Sequence, residues 1–241
     1  MLSYNIHHGQ GEDGRFDLER LAGVIRASGA DLVALQEVDA GTGRAGGVDQ
    51  AAELGRLTGM HAVFGEAMPF DGGSYGEAVL SAWPVIAEDV IALPASPGHE
   101  PRAAVFVTVS TPWGGPPITL AGTHLDHTED EADRLAQAAL LVGALSHAGR
   151  DVVLVGDMNA EPGSAPIQTF LDAGWRASDP TEAPTYPSAN PTKKIDWVLL
   201  APGATGHVSS VEVLDEPLAS DHAPVLATWT FPASTPAPTQ P

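Results

Sequence analysis

Val152-Val153-Leu154-Val155-Gly156-Asp157-Met158-Asn159 begins as four apolar residues and hands over, at a glycine, to an acid and an amide. A short apolar run without polar alternation reads as a strand buried on both faces, the kind found in sheets that helices cover. If strand geometry continues past Val155, Asp157 and Asn159 project to one side and Met158 to the other. A carboxylate able to orient or deprotonate a water and an amide able to hold an oxygen then converge at the strand end. Alone, the same stretch also reads as a polar turn after a buried strand.

The rest of the chain follows a related plan. Residues 17–28 read as a helix: Asp17 suits its N-cap, Leu18, Leu21, Ala22 and Ile25 recur at helical spacing, and Gly29 suits its end. Further helices are predicted at 48–58, 129–146 and 164–172, and strands at 32–35, 61–65, 76–82, 85–93, 102–110, 117–124, 195–200, 207–214 and 224–230. Strand-rich sequence with a few amphipathic helices points to sheets covered by helices. The length of 241 residues suits one domain, with residues 1–231 as its body. Residues 232–241 are Pro, Ala, Ser, Thr and Gln with no apolar pattern, and read as a disordered tail.

Three more islands carry polar groups where apolar runs end: Asn5 in YNIHHG, Glu37 in LQEVD, and Asp221-His222 after Ser220. Asp196, in KKIDWVLL, is a carboxylate in an otherwise apolar strand and needs a partner; His222 is a candidate, because a carboxylate can fix a histidine's tautomer and raise its basicity. Glu37 and Asn5 offer hard oxygen ligands, which suit Mg²⁺ or Mn²⁺ better than zinc. A zinc reading would draw on His7, His8, His124, His127 and His222, but there is no HExxH helix, and HxxH on a strand end does not place both rings on one face.

With 11 Lys and Arg against 31 Asp and Glu, the net charge is −20, and no basic stripe suited to a polyanion can be picked out. The absence of cysteine excludes disulfides, thiolate metal sites and a cysteine nucleophile. No run approaches the roughly 18 apolar residues needed to span a bilayer. The sequence as it stands suggests a cytoplasmic protein, or a secreted one if the natural N-terminus is longer.

Taken in order, YNI, LQE, YGEAVLS, THL, GDMN, ID and SDH resemble the endonuclease/exonuclease/phosphatase superfamily, from Ser3 to about Thr230. The resemblance implies a four-layer α/β/β/α sandwich, with two packed mixed β-sheets flanked by helices. It implies that Glu37 binds a divalent cation, Mg²⁺ or Mn²⁺, with Asn5 beside it and Asp221 as a ligand or supporting group. Asp157 would align or activate the attacking water, and Asn159 would help hold the phosphate. His222, oriented by Asp196, would be the imidazole at the scissile phosphate. His124 matches the family's second histidine, and Glu77, in YGEAVLS, stands where deoxyribonucleases carry an acid that pairs with it; a Glu77–His124 pair is therefore expected. The NIHHG form resembles a bacterial subgroup of metal-dependent hydrolases; His8 reads either as a substrate contact or as a turn histidine. Arg102, in EPRAAVFV, and Arg44, in the glycine-rich loop, read either as steering a phosphate or as exposed arginines without a role.

The expected activity is a divalent-metal-dependent phosphoesterase, acting by in-line water attack on a phosphodiester of a small or lipid-derived substrate. A nuclease is the alternative within the class, disfavoured by charge, and a non-catalytic binding protein on the same scaffold is the alternative outside it. A monomer is expected.

Overall fold

A computed structural model of the chain describes residues 1–146, 148–149, 151–179 and 181–231. The expected tail at 232–241 lies outside the described residues. In chain order the elements are β1 (Leu2–Asn5), α1 (Leu18–Ser28), β2 (Leu32–Ala40), α2 (Gln50–Thr58), β3 (His61–Phe70), β4 (Gly73–Ser81), β5 (Val85–Ala92), β6 (Ala103–Val109) and β7 (Ile118–His124). They continue with α3 (Ala132–Leu145), β8 (Val152–Asp157), α4 (Ala165–Asp172), β9 (Arg176–Ala177), β10 (Asp196–Leu200), β11 (His207–Val213) and β12 (Val225–Thr230). A short 3₁₀ turn, His7–Gly9, follows β1.

The strands form two six-stranded mixed sheets, ordered β11-β12-β1-β2-β4-β3 and β5-β6-β7-β8-β10-β9. The central pairs β1–β2 and β7–β8 are parallel, and their neighbours are antiparallel. Alternation along the central strands explains the layering. In β2, Leu32 and Ala34 face the other sheet while Val33 and Leu35 face α1 and α2; in β8, Val153 and Val155 face inward while Val152 and Leu154 meet α3 and α4. Both faces are dry, which is why these strands are continuous apolar runs. Each fully buried Leu or Val contributes about 1.5–3 kcal/mol through removal from water.

The sheets approach closely beneath the strand ends that bear the polar islands. A Cβ built on Gly122 of β7 would come within 2.9 Å of the Ala34 Cβ on β2. Gly156 answers a different need: its φ is 149°, and a Cβ there would meet the Thr123 carbonyl oxygen of β7 at 1.9 Å.

Element boundaries mostly match the sequence reading, with physical reasons where they do not. The third helix starts at Ala132 rather than at 129, because the Thr128 hydroxyl bonds to Asp126 and to the Asp130 carbonyl, and the Ala132 N–H bonds to the Asp130 side chain, holding 128–131 in a turn. The strand expected at 61–65 runs on to Phe70, paired with β4 across a register shift between Glu66 and Met68. Asp17 and Asp49 cap α1 and α2 through bonds from the Arg20 and Ala52 N–H groups. No helix among the described residues is long and apolar enough to cross a membrane.

Candidate active site

The C-terminal ends of the parallel strands open onto a cleft of about 800 Å³ whose lining includes His7, His8, Glu37, Arg44, Arg102, His124, Asp157, Asn159, Asp221 and His222. Parallel neighbours on opposing sheets deliver their C-terminal ends to the same rim. The polar islands, far apart in sequence, meet there.

Local backbone geometry aims several of these side chains. His7 and His8 both have φ of 45°, Glu37 has 58° and Asn159 has 45°, all in the left-handed region that non-glycine residues rarely occupy. Such positions cost on the order of 1 kcal/mol or more each and cluster where function requires a particular side-chain direction. Glu37 was expected just past a strand; it lies within β2, at a bulge between Leu35 and Val38 that turns its carboxylate out of the alternation and into the cleft.

Asp157 occupies the centre. Its Oδ2 accepts from Asn5 Nδ2 at 3.3 Å and faces His124 Nε2 at 3.4 Å and His222 Nε2 at 3.5 Å, while Oδ1 accepts from the Asn159 N–H at 2.9 Å. The side chain is 2% exposed, and burial pushes its carboxyl up, against the pull of the neighbouring His222. Met158 turns the other way into the core, as the strand alternation requires.

His222 Nδ1 lies 3.0 Å from Asp196 Oδ2, and Asp196 also accepts from the Thr185 hydroxyl at 2.6 Å. The expected Asp196–His222 partnership is therefore present. Burial disfavours the charged ring, but Asp196 and Asp157 on its two sides outweigh burial and hold the imidazolium up to about 10. The Tyr186 ring packs on His222 at 4.8 Å between centroids.

His124 is the opposite case. Burial and the adjacent Arg102 guanidinium push its pKa well down, so the ring is neutral. Arg102 has no acceptor, so its Nη1, 3.1 Å away, donates to His124 Nδ1, which leaves the ring proton on Nε2, the nitrogen facing Asp157. Asn159 Nδ2 lies 3.0 Å from that nitrogen and donates to the Leu125 carbonyl at 3.1 Å.

The expected Glu77–His124 hydrogen bond is not made. Glu77 is fully buried with neither carboxylate oxygen partnered, while His124 Nδ1 accepts from Arg102 and Nε2 faces Asp157 Oδ2. Burial raises the Glu77 carboxyl well above its usual range, favouring the neutral form beneath the site.

Arg102, expected to steer a phosphate, is 2% exposed and committed: to Glu100 at 2.7 Å, His124, and His127 at 3.0 Å. Its guanidinium draws both rings of the HxxH segment to one place, contrary to the expectation that they would diverge. Arg44 is held by Asp39 through bonds of 2.6 and 2.8 Å and stacks over Phe70 at 4.5 Å, forming cleft wall. Lys194, half of the chain's one paired-lysine cluster, is buried against Asp179 at 3.0 Å.

On the other side, Asn5 Nδ2 also donates to Glu37 Oε1 at 3.1 Å, and Asn5 Oδ1 accepts from the His7 N–H at 3.0 Å. Asn5 thus presents its amide nitrogen to Glu37 and Asp157. Glu37 Oε2 lies 3.9 Å from His8 Nδ1, and Asp221 Oδ1 lies 3.9 Å from His7 Nδ1; neither imidazole nitrogen has a hydrogen-bond partner. Burial pushes the Glu37 carboxyl up, but His8 and Asn5 on its two oxygens oppose burial and hold it well below the usual range, so it is anionic. His8 therefore meets Glu37 itself, not only the space a substrate would fill.

Two groupings near the cleft bear on metal binding. Asp157, Asp196 and His222 bring donor atoms within 4.8 Å of one another, but there the imidazolium already supplies the positive charge between the carboxylates. The Glu37 side fits an ion better: an ionised carboxylate, Asp221 across from it, and buried imidazole nitrogens with no partner.

Sequence reasoning missed Tyr186, Glu100 and Arg134, which line the cleft, and considered His127 only for the zinc reading, through its spacing from His124.

Two facing mixed sheets that deliver carboxylates and imidazoles to a shared rim define the class: an α/β sandwich with a hydrolase-like cleft. The chain belongs to the Endonuclease/Exonuclease/phosphatase family, whose model matches residues 2–222. Members of this family are divalent-metal-dependent hydrolases of phosphate esters. An endonuclease/exonuclease/phosphatase from Beutenbergia cavernae is 26% identical with a TM-score of 0.77, over 98% of this chain and 72% of that one. The mannosyl-6-phosphatase Bt3783 of Bacteroides thetaiotaomicron shares the fold at 17% identity and TM-score 0.78, over 95% and 98% of the two chains. Sphingomyelinase C from Streptomyces griseocarneus does so at 20% and 0.66, over 94% and 97%.

Proposed function

We propose that this chain is a Mg²⁺- or Mn²⁺-dependent phosphoesterase that hydrolyses a phosphodiester of a small or lipid-derived substrate by in-line attack of water. The observation that carries this reading is the setting of Asp157 Oδ2, ringed by Asn5, neutral His124 and cationic His222.

A buried carboxylate with its pKa raised is matched to taking a proton from water near neutrality. The His222 imidazolium, fixed by Asp196, provides positive charge and an N–H donor for a phosphoryl oxygen as negative charge builds there. His124 contributes a neutral Nε2–H donor, and Asn159, tied to the Asp157 carboxylate and the Leu125 carbonyl, helps hold the phosphate. Glu37, with Asp221 across the cleft, would hold the divalent cation, which supplies Lewis-acid stabilisation of charge on the phosphoryl group.

The cations support a small substrate. Arg44, Arg102 and Lys194 are each paired with a carboxylate, and Arg134 donates to the carbonyls of Asp126 and Thr128. Among the described residues lining the cleft, that leaves no track of uncommitted arginines for a long polyanion. The solved relatives bear names that span a sugar phosphatase and a sphingomyelinase, so the fold sets no single ester.

Parallel assays with bis-p-nitrophenyl phosphate, p-nitrophenyl phosphate and plasmid DNA, across Mg²⁺ and Mn²⁺, test the reading. Metal-dependent turnover greatest on the diester is expected. Efficient plasmid nicking would replace it with a nuclease, and no turnover on any of the three would favour a binding role for the scaffold.

A further inference from the structure

The segment that carries Glu100 and Arg102 to the cleft also carries His99, and a second group of donors converges on it away from the catalytic carboxylates. His99 Nδ1 lies 2.8 Å from Asp133 Oδ2, in the first turn of α3, and 3.9 Å from Asp126 Oδ1, just beyond β7. One donor atom from each of the three residues lies within 4.8 Å of the others. Asp133 is otherwise satisfied by Ser96, whose N–H and hydroxyl bond to it at 2.8 and 2.7 Å.

Asp126 is the unexplained member. Its side chain is 0% exposed; Oδ2 accepts from the Thr128 N–H and hydroxyl, but Oδ1 meets no donor. A buried carboxylate oxygen without a partner is a costly arrangement that asks for a cation. The neighbouring arginine does not provide one, since Arg134 Nη1 is directed to the Asp126 and Thr128 carbonyls. Two carboxylates at most 8% exposed thus share one imidazole, and that ring, 31% exposed, leaves a way in from solvent.

We propose that His99, Asp126 and Asp133 form a second divalent-cation site, separate from the catalytic cleft, for a first-row ion of the zinc type. One imidazole nitrogen and two carboxylates suit Zn²⁺ better than Ca²⁺ or Mg²⁺, which favour oxygen ligands throughout. On binding, His99 Nδ1 gives its lone pair to the ion in place of its hydrogen bond to Asp133, and Asp126 Oδ1 gains a partner. The ion clips the segment between β5 and β6 to the start of α3. Because Arg102 follows His99 by three residues, the clip also steadies the guanidinium that keeps His124 neutral.

The test counts zinc ions on the full chain by equilibrium dialysis with elemental mass spectrometry. Wild type should bind one more Zn²⁺ per chain than His99→Gln and than Asp126→Asn, and near-ultraviolet circular dichroism checks that each variant is folded. His99 is partly exposed and its replacement should be tolerated; Asp126→Asn retains a side chain that can still meet Thr128. Zinc should raise the Tm of wild type by more than that of His99→Gln, should raise that of the catalytic-side variant Glu37→Gln but not that of the Glu37→Gln/His99→Gln double variant, and should slow hydrogen exchange over 94–102 only where His99 is present. Equal zinc counts in wild type and both variants, or an unchanged zinc-induced Tm rise in His99→Gln, would overturn the site and leave His99–Asp133 as an ion pair.

Discussion

Along the rim of the second sheet, Asp157 is bonded to Asn159, His124 to Arg102 and Asp196 to His222, whereas along the first, Glu37 and Asp221 face imidazole nitrogens that have no partner. The difference divides the labour. The second rim is preorganised, its groups fixed before substrate arrives, and electrostatic preorganisation is what such a site contributes to catalysis. The first rim has unspent donors and strained backbone at His7, His8 and Glu37, the condition expected where an ion completes the arrangement.

Breaking the preorganised rim should cost most. Asp157→Asn removes the central acceptor, and turnover should fall roughly 10³-fold with the fold intact by circular dichroism. His222→Ala should lose roughly 10²-fold or more on the same assay; near-normal turnover of either pure variant would defeat its role. On the open rim, Glu37→Gln should act differently, raising the Mg²⁺ concentration for half-maximal activity roughly 10- to 100-fold, with part of the turnover recovered at saturating metal. A metal response identical to wild type would make the two rims equivalent.

The pH profile sharpens the same contrast. In the proposed mechanism Asp157 must be ionised to take a proton, and burial raises its pKa, so kcat/KM should rise with pH along an acid limb; His222 must keep its proton there, so activity should fall as pH passes through about 10. A cation beside Asp157 favours the carboxylate, and the acid limb should therefore move to lower pH as metal concentration rises. Asp196→Asn should bring the basic limb down, because the imidazolium loses the charge that stabilises it. The smallest effect is expected at Glu77, which touches no ring nitrogen: Glu77→Gln should leave the profile in place and turnover within about threefold. A displaced profile would mean that Glu77 reaches His124 during turnover.

Much of this was legible in the sequence, for identifiable reasons. Strands buried on both faces write themselves as apolar runs, so β2, β7 and β8 and the residues at their ends could be read directly. The Asp196–His222 partnership was legible because a carboxylate inside an apolar strand requires a partner. What escaped depended on contacts between distant segments or on backbone irregularity. Nothing in LQEVD announces the bulge that redirects Glu37, because a bulge is set by pairing with β4. Arg102 and Arg44 were read as free cations, and only the folded chain reveals Glu100 and Asp39 beside them. The Glu77–His124 pair failed for the same reason: Arg102 reaches His124 Nδ1.

The close approach of Gly122 to Ala34 gives the interior a say in the chemistry. Asn5 and Glu37 ride on one sheet and Asp157 on the other, so the width of the seam between the sheets sets the reach of Asn5 across it. A single methyl added at Gly122 would act as a wedge at that seam, parting groups it never touches. The protein thus keeps the calibration of these distances across the cleft in its buried interior.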